Sequence, residues 1–163
     1  MKLSNATSRA AEAVRLLSLR RRTLAVAESS TGGLVGHLIT EVPGSSGVYL
    51  GGVVAYANKL KEQLGVPAQI MTRHGAVSPE VAVAMAAAVR EQGGANYGLS
   101  ITGIAGPGGG SPGKPVGLTY VAVASASGTI AREHKFRGGR STVKAASAGA
   151  ALELLCEAIK RDM

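Results

Sequence analysis

Residues 23–35 decide the fold, and their sequence is TLAVAESSTGGLV. The apolar run at 23–27 is typical of a buried strand, and apolar residues at helical spacing follow from Leu34 to Ile39. The six residues 28–33 between them are polar or glycine, which predicts a tight turn. A strand, a turn and a helix in this order predict an α/β fold.

The rest of the chain continues this alternation. Residues 4–20, capped by Ser4, predict a first helix, 48–56 and 97–102 predict strands, and 58–64, capped by Asn58, predict a short helix. Ser78 before Pro79 predicts a helix start, and the last helix is expected at 140–161. Residues 116–124 and 130–136 predict a hairpin. We therefore expect a single domain, 1–163, with a mixed sheet of about five strands flanked by helices.

Composition limits the class of protein. Hydrophobic residues make up 45% of the chain and charged residues 17%, as in ordinary globular domains. The single cysteine, Cys156, allows no internal disulfide, and no apolar run reaches the roughly 18 residues of a membrane span. We expect a cytoplasmic protein without a membrane partner.

The net charge of +8 lies mostly in short clusters, and only four Tyr and one Phe could stack on bases. Nucleic acid is therefore not the expected partner, and an anionic small molecule fits the charge at least as well. Faces rich in alanine and glycine permit close packing between copies, so we also expect a homodimer.

Three loops carry the polar residues, at 29–33, 56–61 and 102–113, each after a predicted strand. Ligands of open α/β sheets bind beyond the carboxyl ends of the strands, so we expect these loops to form one site. Residues 103–113 hold six glycines but lack the Gly-Lys-Ser/Thr ending of a P-loop. This loop either wraps a phosphate or ribose or is only a flexible linker.

The first loop offers hydroxyl and N–H groups. Ser29 and Ser30 are candidate nucleophiles, and the backbone N–H groups of Thr31, Gly32 and Gly33 could hold a phosphate or an oxyanion. The alternative is that these residues only cap the following helix.

Lys61 is the candidate general base. It lies in the first turn of its predicted helix, where the helix dipole lowers the pKa of an ammonium, and burial would lower it further. The alternative is a solvated surface lysine. Tyr56 either donates to an oxyanion or covers the edge of the core. The histidines His37, His74 and His134 have no metal-ligand spacing, so we expect neither a metal nor another cofactor.

Five motifs in this order resemble the CinA C-terminal-domain family over nearly the whole chain. They are AESSTGG at 27–33, PGSS at 43–46, GGVVAYAN at 51–58 with Lys61, HGAVS at 74–78 and TGIAGP at 102–107. Three positions depart from the family pattern: Ser30 replaces a common cysteine, Gly139 replaces an aspartate before Arg140, and Leu118-Thr119 differ from the usual pair. The resemblance implies the stand-alone form, without the additional nucleotide-processing domain.

This resemblance implies metal-free hydrolysis of nicotinamide mononucleotide to nicotinate mononucleotide and ammonia, by a serine nucleophile with a lysine base. The catalytic residues would be Ser29 or Ser46, Lys61 and Tyr56. The substrate would contact Ser30, Thr31, Gly32, Gly33, Asn58, Thr102, Gly103, Ala105, Gly106 and Arg140. The alternative is a phosphoribosyl-nucleotide-binding module without catalysis.

Both Ser29 and Ser46 match family positions for the nucleophile. We favour Ser29, because it follows its strand at the expected site, whereas Ser46 precedes the second strand and should lie at the opposite end. This reasoning fails if the second strand is antiparallel or if a partner subunit supplies Ser46. We expect the turn at 31–33, with Tyr56, to hold the oxyanion and the glycine-rich loop to hold the phosphate, although the two anion sites could be exchanged.

Overall fold

The computed structural model describes residues 3–162. The helices are α1 (Leu3–Arg20), α2 (Leu34–Thr40), α3 (Asn58–Leu64), α4 (Ala68–His74), α5 (Pro79–Gly93) and α6 (Arg140–Arg161), with a 3₁₀ turn at Ser45–Gly47. The strands are β1 (Leu24–Glu28), β2 (Tyr49–Val54), β3 (Tyr97–Gly103), β4 (Leu118–Ser125) and β5 (Gly128–Lys135).

The strands form one mixed sheet in the order β2-β1-β3-β4-β5. β1 pairs in parallel with β2 and β3, with Val26 opposite Gly52 on one side and Leu99 on the other. β3–β4 and β4–β5 are antiparallel pairs. The predicted α/β fold with a mixed five-stranded sheet flanked by helices is confirmed.

The two faces of the sheet carry side chains of different size. Leu24 and Val26 of β1, with Leu99 and Ile101 of β3, face α1, α2 and α6 in the main apolar core. The residues that alternate with these four along the two strands are small and form the opposite face of the sheet. Helix α5 packs closely against this second face. A Cβ at Gly98 would overlap the carbonyl oxygen of Ala86. Large residues on one face and small residues on the other therefore determine how closely each helix layer packs.

The capping residues and the apolar periodicity of the sequence predicted most helix ends correctly. Ser78 caps α5 and accepts a hydrogen bond from the N–H of Val81 at 3.3 Å, and α6 spans the predicted residues. The prediction that Asn58 caps α3 was wrong, because Ala57 is the N-cap and makes no side-chain cap. Likewise, α1 already includes Leu3, ahead of the predicted cap Ser4. The sequence analysis also missed α4. Within residues 3–162, no helix is long and apolar enough to cross a membrane.

The strand order places a switch point at the carboxyl end of β1. The chain moves from β1 to β2 on one side and then crosses to β3 on the other side. The connections after β1 and β3 therefore separate at this edge and leave a crevice, which is where open α/β sheets bind ligands.

Candidate active site

A cleft of about 180 Å³ lies at this carboxyl edge of the sheet. All three polar loops contribute to it, as the sequence predicts. Its walls are Ser29, Ser30, Tyr56, Asn58, Lys61, Ala76, Val77, Thr102, Gly103, Ala105 and Arg140. Ala76 and Val77 were not among the predicted site residues, although they belong to the HGAVS motif that carries the resemblance.

Glu28 organises the turn beneath this cleft. Its carboxylate, only 3% exposed, accepts hydrogen bonds from the N–H groups of Gly33 at 3.1 Å, Val35 at 3.0 Å and Gly36 at 2.8 Å. The N–H of Gly32 donates to the carbonyl oxygen of Ser29 at 3.0 Å. The predicted anion-binding role of the Gly32 and Gly33 N–H groups was therefore wrong, since both groups already have partners.

The two glycines have a conformational role instead. Gly32 and Gly33 have φ values of 64° and 98°, in the left-handed region that side chains with a Cβ rarely adopt. This conformation turns the chain from β1 into α2. The N–H groups of Ser30 and Thr31 have no hydrogen-bond partner among residues 3–162, so they remain able to bind an oxyanion.

The two serines of this turn line the cleft. Ser29 is 7% exposed and Ser30 is 8% exposed, and neither hydroxyl is hydrogen-bonded to another described residue. Thr31 is fully buried behind them, and its Oγ1 also lacks a partner. A buried hydroxyl without a partner costs free energy, which is typical of a site that a ligand completes.

Lys61 is buried in the same cleft, with 2% of its surface exposed. The alternative of a solvated surface lysine is therefore wrong. Its Nζ donates to the carbonyl oxygen of Tyr56 at 3.2 Å, and no carboxylate of residues 3–162 lies within ion-pair distance. Burial lowers the pKa of the Lys61 ammonium below its ordinary value. Loss of a proton thus turns a buried cation into a neutral amine that can act as a base.

Arg140 connects two sides of the cleft. Its Nη1 donates to the carbonyl oxygen of Gly106 at 2.7 Å, and its Nη2 donates to the hydroxyl of Tyr56 at 2.8 Å. These two bonds hold Arg140 in place even though Gly139 replaces the acidic residue expected before it. Gly106 itself does not line the cleft, so its backbone acts through Arg140.

The end of β3 forms the floor of the cleft. Thr102 donates its hydroxyl to the carbonyl oxygen of Ala76 at 2.8 Å, which ties the α4–α5 connection to the sheet. A Cβ at Gly103 would lie 2.8 Å from Oγ1 of Thr119 and 3.2 Å from Oγ of Ser30. Only glycine therefore allows the turn to lie so close to β3.

Ser46 lies at the other end of the sheet. It is exposed in the 3₁₀ turn before β2, and β2 runs parallel to β1. Within one chain, Ser46 is therefore at the amino edge, while Ser29 and Lys61 are at the carboxyl edge. The topological condition on which we favoured Ser29 is met.

Other reactive side chains lie outside the cleft. Cys156 is buried in the core, and burial raises the pKa of its thiol to about 11, so it stays protonated at neutral pH. His134 stacks on Phe136 with ring centroids 5.3 Å apart. Residues 3–162 contain no group of three His, Cys, Asp or Glu side chains that could hold a metal ion.

Larger cavities occur elsewhere on the surface. One of about 210 Å³ at the amino edge is lined by Arg20, Arg22 and Arg90, but arginines near helix carboxyl ends are explained by the helix dipole. Another of about 370 Å³ lies along the exposed edge strand β2. Neither cavity contains a buried amine or a partnerless buried hydroxyl, so the smaller cleft is the site suited to chemistry.

Solved structures match this architecture closely. The crystal structure of the competence/damage inducible protein CihA from Agrobacterium tumefaciens has a TM-score of 0.92 and 36% identity, with 96% of each chain covered. A competence-damaged protein (CinA) superfamily protein from Escherichia coli has a TM-score of 0.90 and 28% identity, over 96% of this chain and 93% of that one.

Sequence relatives point the same way. A CinA-like protein of Synechococcus sp. is 51% identical over 142 residues, which are 85% of this chain and 34% of that protein. A CinA-like protein of Salinibacter ruber is 54% identical over 138 residues, which are 84% of this chain and 34% of that protein. The chain thus spans about a third of the length of these relatives. The model of the CinA C-terminal domain matches residues 6–159, and the chain belongs to this family.

Proposed function

We propose that the protein is a Ser/Lys amidohydrolase that converts nicotinamide mononucleotide to nicotinate mononucleotide and ammonia. The observation that carries this proposal is Lys61, a buried amine with a lowered pKa, in the same cleft as the partnerless hydroxyl of Ser29. A nucleophile activated by a neutral base is what hydrolysis of an unactivated amide requires.

In the first half-reaction, Oγ of Ser29 attacks the carboxamide carbon while its proton passes to neutral Lys61. The tetrahedral intermediate then collapses, the C–N bond breaks, and Lys61 returns the proton to the leaving nitrogen, which departs as ammonia. In the second, water loses a proton to Lys61 and attacks the ester, which releases the carboxylic acid and restores the Ser29 hydroxyl.

No hydrogen bond joins the side chains of Ser29 and Lys61. Catalytic hydrogen bonds are often long without substrate and shorten when it binds, so this geometry is compatible with the proposed roles.

The oxyanion needs donors that have no other partner. The backbone N–H groups of Ser30 and Thr31 meet this condition. Tyr56 can also contribute, because its hydroxyl accepts a hydrogen bond from Arg140 and so keeps its own proton for donation. Each such donor contributes about 10²–10³-fold to the rate of comparable acyl transfers.

Ammonia release from nicotinamide mononucleotide by the purified chain tests the activity. We expect turnover by the wild type and a loss on the order of 10⁴-fold or more in Ser29→Ala. Lys61→Met, which keeps the buried stem and removes the amine, should lose about 10²–10⁴-fold. Nucleotide binding without any ammonia release by the wild type would instead identify a binding module.

Two serines serve as matched controls. Ser30→Ala removes a neighbouring hydroxyl of equal burial, and Ser46→Ala removes the other family-matched serine. Both variants should retain far more activity than Ser29→Ala. If Ser29→Ala kept near-normal turnover and Ser46→Ala were inactive, Ser46 would be the nucleophile, and a partner subunit would have to supply it.

A further inference from the structure

The amino edge of the sheet, opposite the candidate active site, has a polar cavity of about 210 Å³ that is lined by three arginines. Arg20 is the last residue of α1, Arg22 lies in the connection to β1, and Arg90 is in the last turn of α5. Guanidinium groups from two separate parts of the fold therefore meet at one cavity.

The helix dipole explains only part of this arrangement. It favours Arg20 and Arg90 in the last turns of their helices, but Arg22 lies beyond the end of α1. Neither Arg20 nor Arg22 has a side-chain hydrogen bond or an ion pair with another residue of 3–162. Because like charges that converge repel each other, an anion bound between them would lower the free energy of this arrangement.

The cavity has a buried wall. Tyr97 is 5% exposed and Ser125 is 8% exposed, and both line the cavity. The Tyr97 hydroxyl donates to Oδ2 of Asp162 at 3.0 Å. Burial raises the pKa of Tyr97, whereas Arg20 and Arg22 act in the opposite direction, because their positive charges lie close to this hydroxyl. Two unpaired guanidinium groups thus lie beside a wall whose position is fixed by packing.

The charge of the lining suits a dianion. Asp162 is the one carboxylate among the described residues that line the cavity, so three arginines and one aspartate leave a formal charge of +2. Nε of Arg161, which is outside the cavity, lies 3.8 Å from Oδ1 of Asp162 and offsets part of the negative charge. A phosphate monoester carries a charge of about −1.5 to −2 at neutral pH, and guanidinium groups bind its oxygens with paired hydrogen bonds.

Further donors are available in the same cavity. Nε of Arg90 donates to the carbonyl oxygen of Asn96 at 3.0 Å, which orients the guanidinium and leaves its terminal nitrogens free. Oδ1 of Asn96 accepts hydrogen bonds from the N–H of Thr23 at 2.9 Å and from its hydroxyl at 3.1 Å. These bonds fix the side-chain amide of Asn96, and its NH₂ group has no partner among residues 3–162. The cavity therefore offers neutral and charged donors together.

We propose that this cavity is a second binding site, in which Arg20, Arg22 and Arg90 hold the dianionic phosphate of a small phosphorylated molecule. Its volume is below the roughly 300 Å³ at which pockets for drug-sized ligands begin, so the ligand is small. The site does not depend on the proposed hydrolysis, because Tyr97 begins β3 at one edge of the sheet and Thr102 lies near the end of β3 at the other.

Titration with methyl phosphate, followed by two-dimensional amide NMR of the purified chain, tests this site. The amide resonances of Asn96, Ala126 and Ser127, which line the cavity, should move together and saturate with one dissociation constant. Arg22→Met should weaken binding about ten-fold or more, as expected for the loss of a charge-assisted hydrogen bond. Arg22→Lys should recover part of this loss, because it keeps the charge but not the paired donors.

Arg21→Met is the matched control. Arg21 is the exposed neighbour of Arg22 and does not line the cavity, so the substitution removes the same charge from the same segment. It should bind methyl phosphate like the wild type. If Arg21→Met and Arg22→Met weakened binding equally, the effect would be one of general charge, and the site would be rejected. Saturable shifts confined to the amides of Ser30 and Gly103 in the cleft, or no saturable shift at all, would also reject it.

Two further ligands test the class of anion. Dimethyl phosphate has a single negative charge and should bind much more weakly than methyl phosphate; equal affinities would overturn the assignment to a dianion. A single-stranded oligonucleotide without terminal phosphates should not displace methyl phosphate. If it did, and if Arg21→Met weakened its binding as much as Arg22→Met, the arginines would form a nucleic-acid surface instead of a site for a small phosphate ester.

Discussion

Replacing Glu28 by glutamine should destabilise the protein by about 2–4 kcal/mol. The carboxylate accepts N–H groups from Gly33 and Val35 on one oxygen and from Gly36 on the other. Glutamine keeps the shape and one acceptor oxygen, but its NH₂ group must then face at least one of these N–H groups. The substitution therefore tests how strongly this charge holds the first loop.

The magnitude follows from counting these bonds. Hydrogen bonds to a charged acceptor contribute about 1.5–3 kcal/mol and neutral ones about 0.5–1.5 kcal/mol, so the two retained bonds lose about 1 kcal/mol each. The third N–H, buried without a partner, costs about 1–3 kcal/mol. The neutral glutamine avoids the free-energy cost of burying the charge of Glu28, and this offsets part of the sum.

Urea or thermal unfolding monitored by circular dichroism measures the effect. For a domain of this size, the expected loss corresponds to a melting temperature lower by about 5–15 °C. Glu41→Gln, an exposed glutamate at the other end of α2, is the matched control and should change stability by less than about 0.5 kcal/mol. If the two variants were equally stable, the Glu28 carboxylate would not hold the turn, and the reasoning would be refuted.

Three further predictions concern the cleft. Since only neutral Lys61 acts as a base and burial lowers its pKa, kcat/KM should rise with pH and level off below 10.5; a profile that falls between pH 7 and 9 would contradict this role. Gly103→Ala should lower the free energy of unfolding in urea by about 1–3 kcal/mol, because the new Cβ would lie 2.8 Å from Oγ1 of Thr119. The control Gly113→Ala should be nearly neutral, because no atom lies within 4 Å of the position of its Cβ. Arg140→Met should raise KM about ten-fold. Tyr56→Phe should raise KM less, because Arg140 also binds Gly106; an unchanged KM in both variants would show that these hydrogen bonds do not contribute to substrate binding.

The sequence predicted the residues of the cleft better than their roles. Ser29 and Lys61 were named because polar residues follow predicted strands, and parallel strands bring such residues to one edge. The hydrogen bonds from the N–H groups of Gly33 and Gly36 to the carboxylate of Glu28 depend on side-chain direction, which no local pattern encodes.

Local sequence thus determined the alternation of strands and helices, the caps such as Ser78 at α5, and the family. These features depend on neighbours within a few residues, whose periodicity and turn chemistry are visible in the chain itself. Tertiary structure alone decided that Lys61 is buried and that Arg140 is held by Gly106 and Tyr56. These contacts join residues far apart in the chain, and they form because α3 packs against α5 and α6 packs against the sheet. The burial that makes Lys61 a base is a property of tertiary packing.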